Sequence, residues 1–72
     1  MKEYLVVLRI KTNRPGGLLL YWTGEKWRLR KATSYDKAEA IELVSQFRSC
    51  GLTAEYHSTQ YEMSKGKKLE VI

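Results

Sequence analysis

Cysteine occurs once, at Cys50, so no disulfide can close within the chain, and neither a zinc site nor a redox pair can be built from thiols. Histidine also occurs once, at His57, and proline once, at Pro15. A lone histidine needs an orienting carboxylate or a nucleophile beside it for acid–base work, and the sequence places none. Glu55 shares its strand face, but one such pair is weak evidence, so His57 is expected to be structural or exposed. The longest apolar runs, Leu5 to Leu8 and Leu18 to Trp22, fall far short of the roughly 20 residues that span a bilayer. No charged-then-apolar signal segment opens the sequence, and the expectation is a cytoplasmic protein that is neither secreted nor embedded.

What is present suits one small domain spanning residues 1–72. Seventy-two residues bury only about 60% of the surface exposed by the unfolded chain, which argues against a deep catalytic cleft. The 43% apolar and 29% charged composition supplies one core and is too mixed for disorder. Small domains without disulfides or metals often gain stability by dimerising. The formal charge of +5 favours an acidic partner, either nucleic acid or an acidic protein surface.

Tyr4 to Lys11 alternates, with Tyr4, Val6, Leu8 and Ile10 on one face and Leu5, Val7, Arg9 and Lys11 on the other, which predicts a first strand. Asn13 to Gly17 joins a fixed φ at Pro15 to two permissive glycines. That is a turn, not a phosphate cradle, because no Gly-Lys-Ser/Thr ending and no helix follow. Thr23 to Lys26 reads as a tight hairpin with Gly24 at the positive φ, pairing Trp22 with Trp27, Tyr21 with Arg28, Leu20 with Leu29 and Leu19 with Arg30.

Ser34 is the expected cap of a helix from about Tyr35 to Cys50, ended by Gly51 and Leu52. Ala40, Leu43, Val44, Phe47 and Cys50 gather on one side of it, which predicts Cys50 to be a small buried hydrophobe. Asp36, Glu39 and Glu42 form a solvated face without metal-ligand partners. Thr53 to Met63 is rich in β-branched and aromatic residues and predicts a fourth strand with Leu52, Ala54 and Tyr56 inward. Residues 65–72 are either a mobile basic tail carrying Lys65, Lys67 and Lys68 or a short final strand. The fold class is α+β: an antiparallel sheet of three to five strands in the order β-β-β-α-β, with one helix packed on one face and an optional last strand.

One helix covers one face of a sheet. The other face collects Arg9, Lys11, Tyr21, Arg28 and Arg30 around Leu5, Val7 and Leu19. Arginines with an aromatic suit contact with phosphates and bases. The same apolar members equally suit burial in a homodimer or against a host protein. No cofactor, metal or catalytic set is expected, and the chain reads as a non-enzymatic binding module. The candidate contacts are Arg9, Lys11, Leu19, Tyr21, Arg28 and Arg30, with the tryptophan hairpin added if the partner is a protein.

The stretch Leu20-Tyr21-Trp22-Thr23-Gly24-Glu25-Lys26-Trp27, followed by Lys31 to Ala40, resembles a pattern of small phage and prophage accessory proteins, in which an aromatic hairpin leads into a capped helix. That resemblance covers about half the chain and implies a protein that occupies a surface on host machinery. Three strands followed by a helix are also similar to the sheet of AP2-type and integrase arm-binding domains, which would put Arg9, Arg28 and Arg30 at reading positions. The segment Leu52 to Met63 departs from that second pattern.

Overall fold

The computed structural model describes residues 2–66 and 68–72. The strands are β1 (Tyr4–Ile10), β2 (Leu18–Trp22), β3 (Trp27–Arg28), β4 (Lys31–Ala32), β5 (Ala54–Ser58) and β6 (Glu70–Val71). Two helices, α1 (Lys37–Ser49) and α2 (Thr59–Ser64), precede and follow β5. The architecture is α+β, with a four-stranded antiparallel sheet in the order β3-β2-β1-β5 and α1 packed against it. Among the described residues no helix is long and apolar enough to cross a membrane.

β1 is a central strand because it pairs on both edges, Val7 with Tyr21 of β2 and with Glu55 of β5. Its alternation sends Val6 toward α1, where Ala40, Val44 and Ala54 complete a buried cluster. Trp22, Trp27 and Phe47 wall that cluster, their ring centroids 4.9 to 5.1 Å apart. Aromatic rings at such spacing add to the gain from area burial alone. The helix ends as its sequence requires: Gly51, at φ +86°, lets its own N–H reach the Arg48 carbonyl and the Leu52 N–H reach the Phe47 carbonyl.

The opposite face is not open. Leu5, Val7 and Tyr21 are buried there with Ala32 and Leu69, and Leu19 and Val71 pack against them. Glu62 of α2 is also buried on this side, where it meets Tyr21. The chain therefore covers the second face itself, with β4, α2 and the β6 segment, and no dimer is needed to bury Leu5, Val7 or Tyr21. The signal was present in β1, since Leu5, Val6 and Val7 are all fully buried in succession, the mark of a strand covered on both faces.

Several boundaries shift for local reasons. The fourth strand stops at Ser58, whose hydroxyl accepts from the Tyr61 N–H and starts α2, so residues 59–63 are helical instead of extended. Ala54 points inward as expected, whereas Leu52 and Tyr56 are more than a third exposed. The hairpin pairs Tyr21 with Arg28 and Trp22 with Trp27, then its ladder ends. Leu20–Leu29 and Leu19–Arg30 do not pair: the chain bends after Arg28, Leu29 turns outward to 54% exposure, and the Thr33 N–H donates to the Trp22 carbonyl.

Helix α1 begins after Asp36, not Ser34, because Tyr35 exchanges backbone hydrogen bonds with Tyr4 and is held extended. Cys50 is the C-cap residue and is exposed, so it is not part of the core. Of the two readings of the last residues, the strand is the one found: β6 runs parallel to β4, pairing Lys31 with Glu70 and Ala32 with Val71. Lys67, in the expected basic run, lies outside the described residues.

Candidate functional site

The turn after β1 sets the geometry of the basic surface. Pro15 fixes one φ, Gly16 takes φ +81°, and the Gly17 N–H closes the turn on the Arg14 carbonyl at 3.0 Å. Gly17 itself, at φ +73°, lies so close to β1 that a Cβ there would meet the Ile10 carbonyl oxygen at 2.5 Å. This folding-back aims the Gly16 carbonyl at Arg9, whose Nη1 donates to it at 2.6 Å. Arg9 also donates through Nε to Glu55 Oε1 at 3.1 Å, with Nη2 3.0 Å from the same oxygen. The guanidinium is thus held from two sides in one orientation.

Arg9 and Arg14 form one wall of a cleft of about 850 Å³ whose other cations are Arg30, Lys65 and Lys68. Leu19, half-buried, and Leu69, buried, line the same cleft beneath these exposed charges as an apolar floor, and the exposed Leu29 is shared with a neighbouring depression. The basic residues come from four separate parts of the chain: β1, the turn, the bend after β3, and the segment from the end of α2 to β6. Such convergence raises the local potential beyond what net charge alone would give. The surface continues on both sides. A depression with Lys11, Thr12 and Thr53 shares Arg9 and Arg14 with the cleft, and another with Arg28, Lys31 and Trp27 shares Leu29 and Arg30. Glu70 is the acidic residue lining this band, whereas Asp36, Glu39 and Glu42 belong to α1 and its cap on the other side of the sheet.

Behind the cleft is a buried polar cluster. Tyr21 donates its hydroxyl hydrogen bond to Glu62 Oε2 at 3.2 Å, and His57 Nδ1 lies 2.5 Å from Glu62 Oε1. His57 Nε2 is 3.7 Å from Glu55 Oε1, which links the cluster to Arg9. Lys65 at the end of α2 is 4.0 Å from Glu62 Oε2 and lies 4.3 Å above the Tyr61 ring. Burial foremost, then the charge of Glu62 and the hydrogen bond to it, push the Tyr21 hydroxyl above its ordinary value of 10.0.

The chain matches no family model, no curated protein and no solved structure.

Of the residues expected from sequence, Arg9 and Arg30 line the cleft, Lys11 and Arg28 the flanking depressions, and Leu19 the floor. Tyr21 also lines the cleft, but it is 1% exposed and its hydroxyl donates to Glu62, so it lies beneath the surface instead of standing on it as an exposed aromatic. Trp22 and Trp27 pack against the core beside α1, so the hairpin does not project as an aromatic interface. Arg14 and Lys31 are not among the contacts the sequence singles out, whereas Lys65 and Lys68 belong to the basic run that could add phosphate contacts or only keep the terminus solvated, and both line the cleft. For Arg14 a signal existed, since Pro-Gly-Gly directly after it must return the chain toward β1. For Lys65 and Lys68 none did, because their place depends on α2 and β6 docking over the sheet. His57 does have a carboxylate partner, Glu62, but the pair is turned into the protein and lines none of the cleft and its two flanking depressions. Among the described residues no group of three or more His, Cys, Asp or Glu is arranged to hold a metal ion.

Proposed function

We propose that this chain is a small non-enzymatic binding module, of the phage-accessory kind its hairpin and helix resemble, that contacts nucleic acid through the basic band. The observation that carries the reading is the convergence of Arg9, Arg14, Arg30, Lys65 and Lys68 on one cleft from four separate parts of the chain. Phosphate groups are the common biological anion that repeats along a chain, and their neutralisation by several cations releases counterions. Arg9, locked by Glu55 and the Gly16 carbonyl, is preorganised for the contact.

Electrophoretic retardation of DNA and RNA at about 50 mM salt, repeated at about 200 mM, tests the reading. Retardation at the lower concentration that fades steeply at the higher is the expected result, and the double variant Arg14→Glu with Arg30→Glu should abolish it. Failure of the unaltered protein to retard any nucleic acid at the lower salt would overturn the proposal.

A further inference from the structure

The shape of the band narrows the class of nucleic acid. Duplex DNA keeps its bases inside and its phosphates on a convex surface, and proteins read it by pushing a helix or β-ribbon into a groove about 12 Å wide. Here the cations surround a concavity. Arg9, Arg14, Arg30, Lys65 and Lys68 line it as exposed side chains, while Leu19 is half-buried and Leu69 buried, so the apolar surface lies deeper than the charge. A duplex laid across it would touch the charges and leave the apolar floor facing water.

A single strand has no such restriction. A cleft of about 850 Å³ is in the range of sites that take drug-sized ligands, on the order of one nucleotide. A strand entering it can turn its phosphates to the exposed cations and lay a base on the leucines. Leu29, 54% exposed, stands where the cleft meets the depression lined by Trp27, Arg28 and Lys31. On the other side the depression with Lys11 and Thr53 continues the path past Arg14. A basic groove that tracks the backbone, with side chains beside it on which bases can lie, binds single strands without reading their sequence; here the leucines offer apolar contact and Trp27, in the flanking depression, the aromatic one.

Resting on the nucleic-acid reading, we infer that the cleft is a site for single-stranded nucleic acid, one nucleotide seated over Leu19, Leu29 and Leu69 and its neighbours following the flanking depressions. Electrostatics alone predicts the reverse order. Duplex DNA carries more charge per length than a single strand and releases more counterions per phosphate contact, so a merely basic surface would hold the duplex more tightly. A preference for single strands has to come from the floor.

Fluorescence anisotropy at low salt decides between these. The probes are a labelled oligonucleotide of about 12 nucleotides, within the range of small single-strand sites, and a hairpin duplex with the same number of phosphates, each as DNA and as RNA. The single strand should bind about tenfold more tightly than the hairpin, the scale of burying roughly 55 Å² of apolar surface between a base and the leucines. Leu29→Ala, a change at an exposed position, should reduce single-strand affinity several-fold and leave hairpin binding unchanged. A hairpin that binds as tightly as the single strand, or equal loss of both in Leu29→Ala, overturns this inference while the nucleic-acid reading stands. Binding of neither probe overturns both.

Discussion

Tyr21 and Glu62, 41 residues apart in sequence, meet beneath the basic cleft, where the phenol donates to the carboxylate at 3.2 Å. Neither side chain reaches solvent: Glu62 is 0% exposed and Tyr21 1%. Their contact joins β2 to α2, and His57 from β5 approaches the second oxygen of the same carboxylate. A buried carboxylate survives only with partners that replace its water, so the segment following β5 is positioned by the need to satisfy Glu62 as well as by apolar packing.

Removing members of this cluster should therefore cost stability in a graded way. Tyr21→Phe deletes one donor to a buried charged group and should cost about 1–3 kcal/mol. Glu62→Ala strips both Tyr21 and His57 of their acceptor and should cost about 3–5 kcal/mol, much of the margin of a small domain. Urea titration followed by the fluorescence of Trp22 and Trp27 measures both. In the double variant the losses should be less than additive, because the Tyr21–Glu62 hydrogen bond, once removed by either change, cannot be lost again.

Alkaline pH should act through the same residue. The folded state holds the Tyr21 hydroxyl above its ordinary value of 10.0, so the proton is retained in the folded chain and lost in the unfolded one. The stabilisation is fully present below the unfolded value and drains away as pH rises from there toward the folded one. Melting temperature should fall above about pH 10 in the unaltered protein, and Tyr21→Phe should fall less steeply over the same interval. Parallel slopes would show that Tyr21 is not the group responsible.

The sheet core was legible in sequence where the determinants are local. A two-residue register at Trp22–Trp27 and Tyr21–Arg28 follows from one short turn, and the stripe of Ala40, Val44 and Phe47 follows from helix period alone. What escaped was set by distant partners. Tyr61 and Thr59 favour strand by propensity, yet a Ser58 cap and the burial of Glu62 make that stretch a helix. Tyr21 looked like a surface aromatic among arginines because its acceptor lies on an element with no strong pattern of its own. The basic band was half legible: Arg9 and Arg28 follow from strand alternation, whereas Arg30 reaches the cleft from the bend after β3 and Lys65 and Lys68 through a docking that only tertiary structure specifies.

The turn that shapes the cleft makes a sharper distinction between its two glycines. Both have positive φ, which costs an L-residue about 1–2 kcal/mol. At Gly16 an added Cβ meets nothing within 4 Å, but at Gly17 it would sit 2.5 Å from the Ile10 carbonyl oxygen, a backbone atom that cannot step aside. Gly17→Ala should therefore be the more destabilising of the two in thermal denaturation. It should also weaken nucleic-acid binding more than Gly16→Ala, since moving the turn takes the Gly16 carbonyl away from Arg9.

The salt dependence of binding should distinguish cations that differ in their surroundings. Each phosphate contact with a single strand contributes about 0.7 to the slope of log affinity against log salt. Arg14 and Arg30 project from the turn and the bend into the cleft, so Arg14→Gln and Arg30→Gln should each flatten the slope by about that amount. Arg9 differs because Glu55 sits 3.0 Å from its guanidinium and already neutralises part of its charge. Arg9→Gln should change the slope less than either of the others. Its main effect should be a drop in affinity at every salt concentration, because the Arg9 fork is held in place before any ligand arrives. An Arg9 variant that flattens the slope as much as Arg14→Gln would mean that the ion pair with Glu55 opens on binding and that Arg9 meets a phosphate with its full charge.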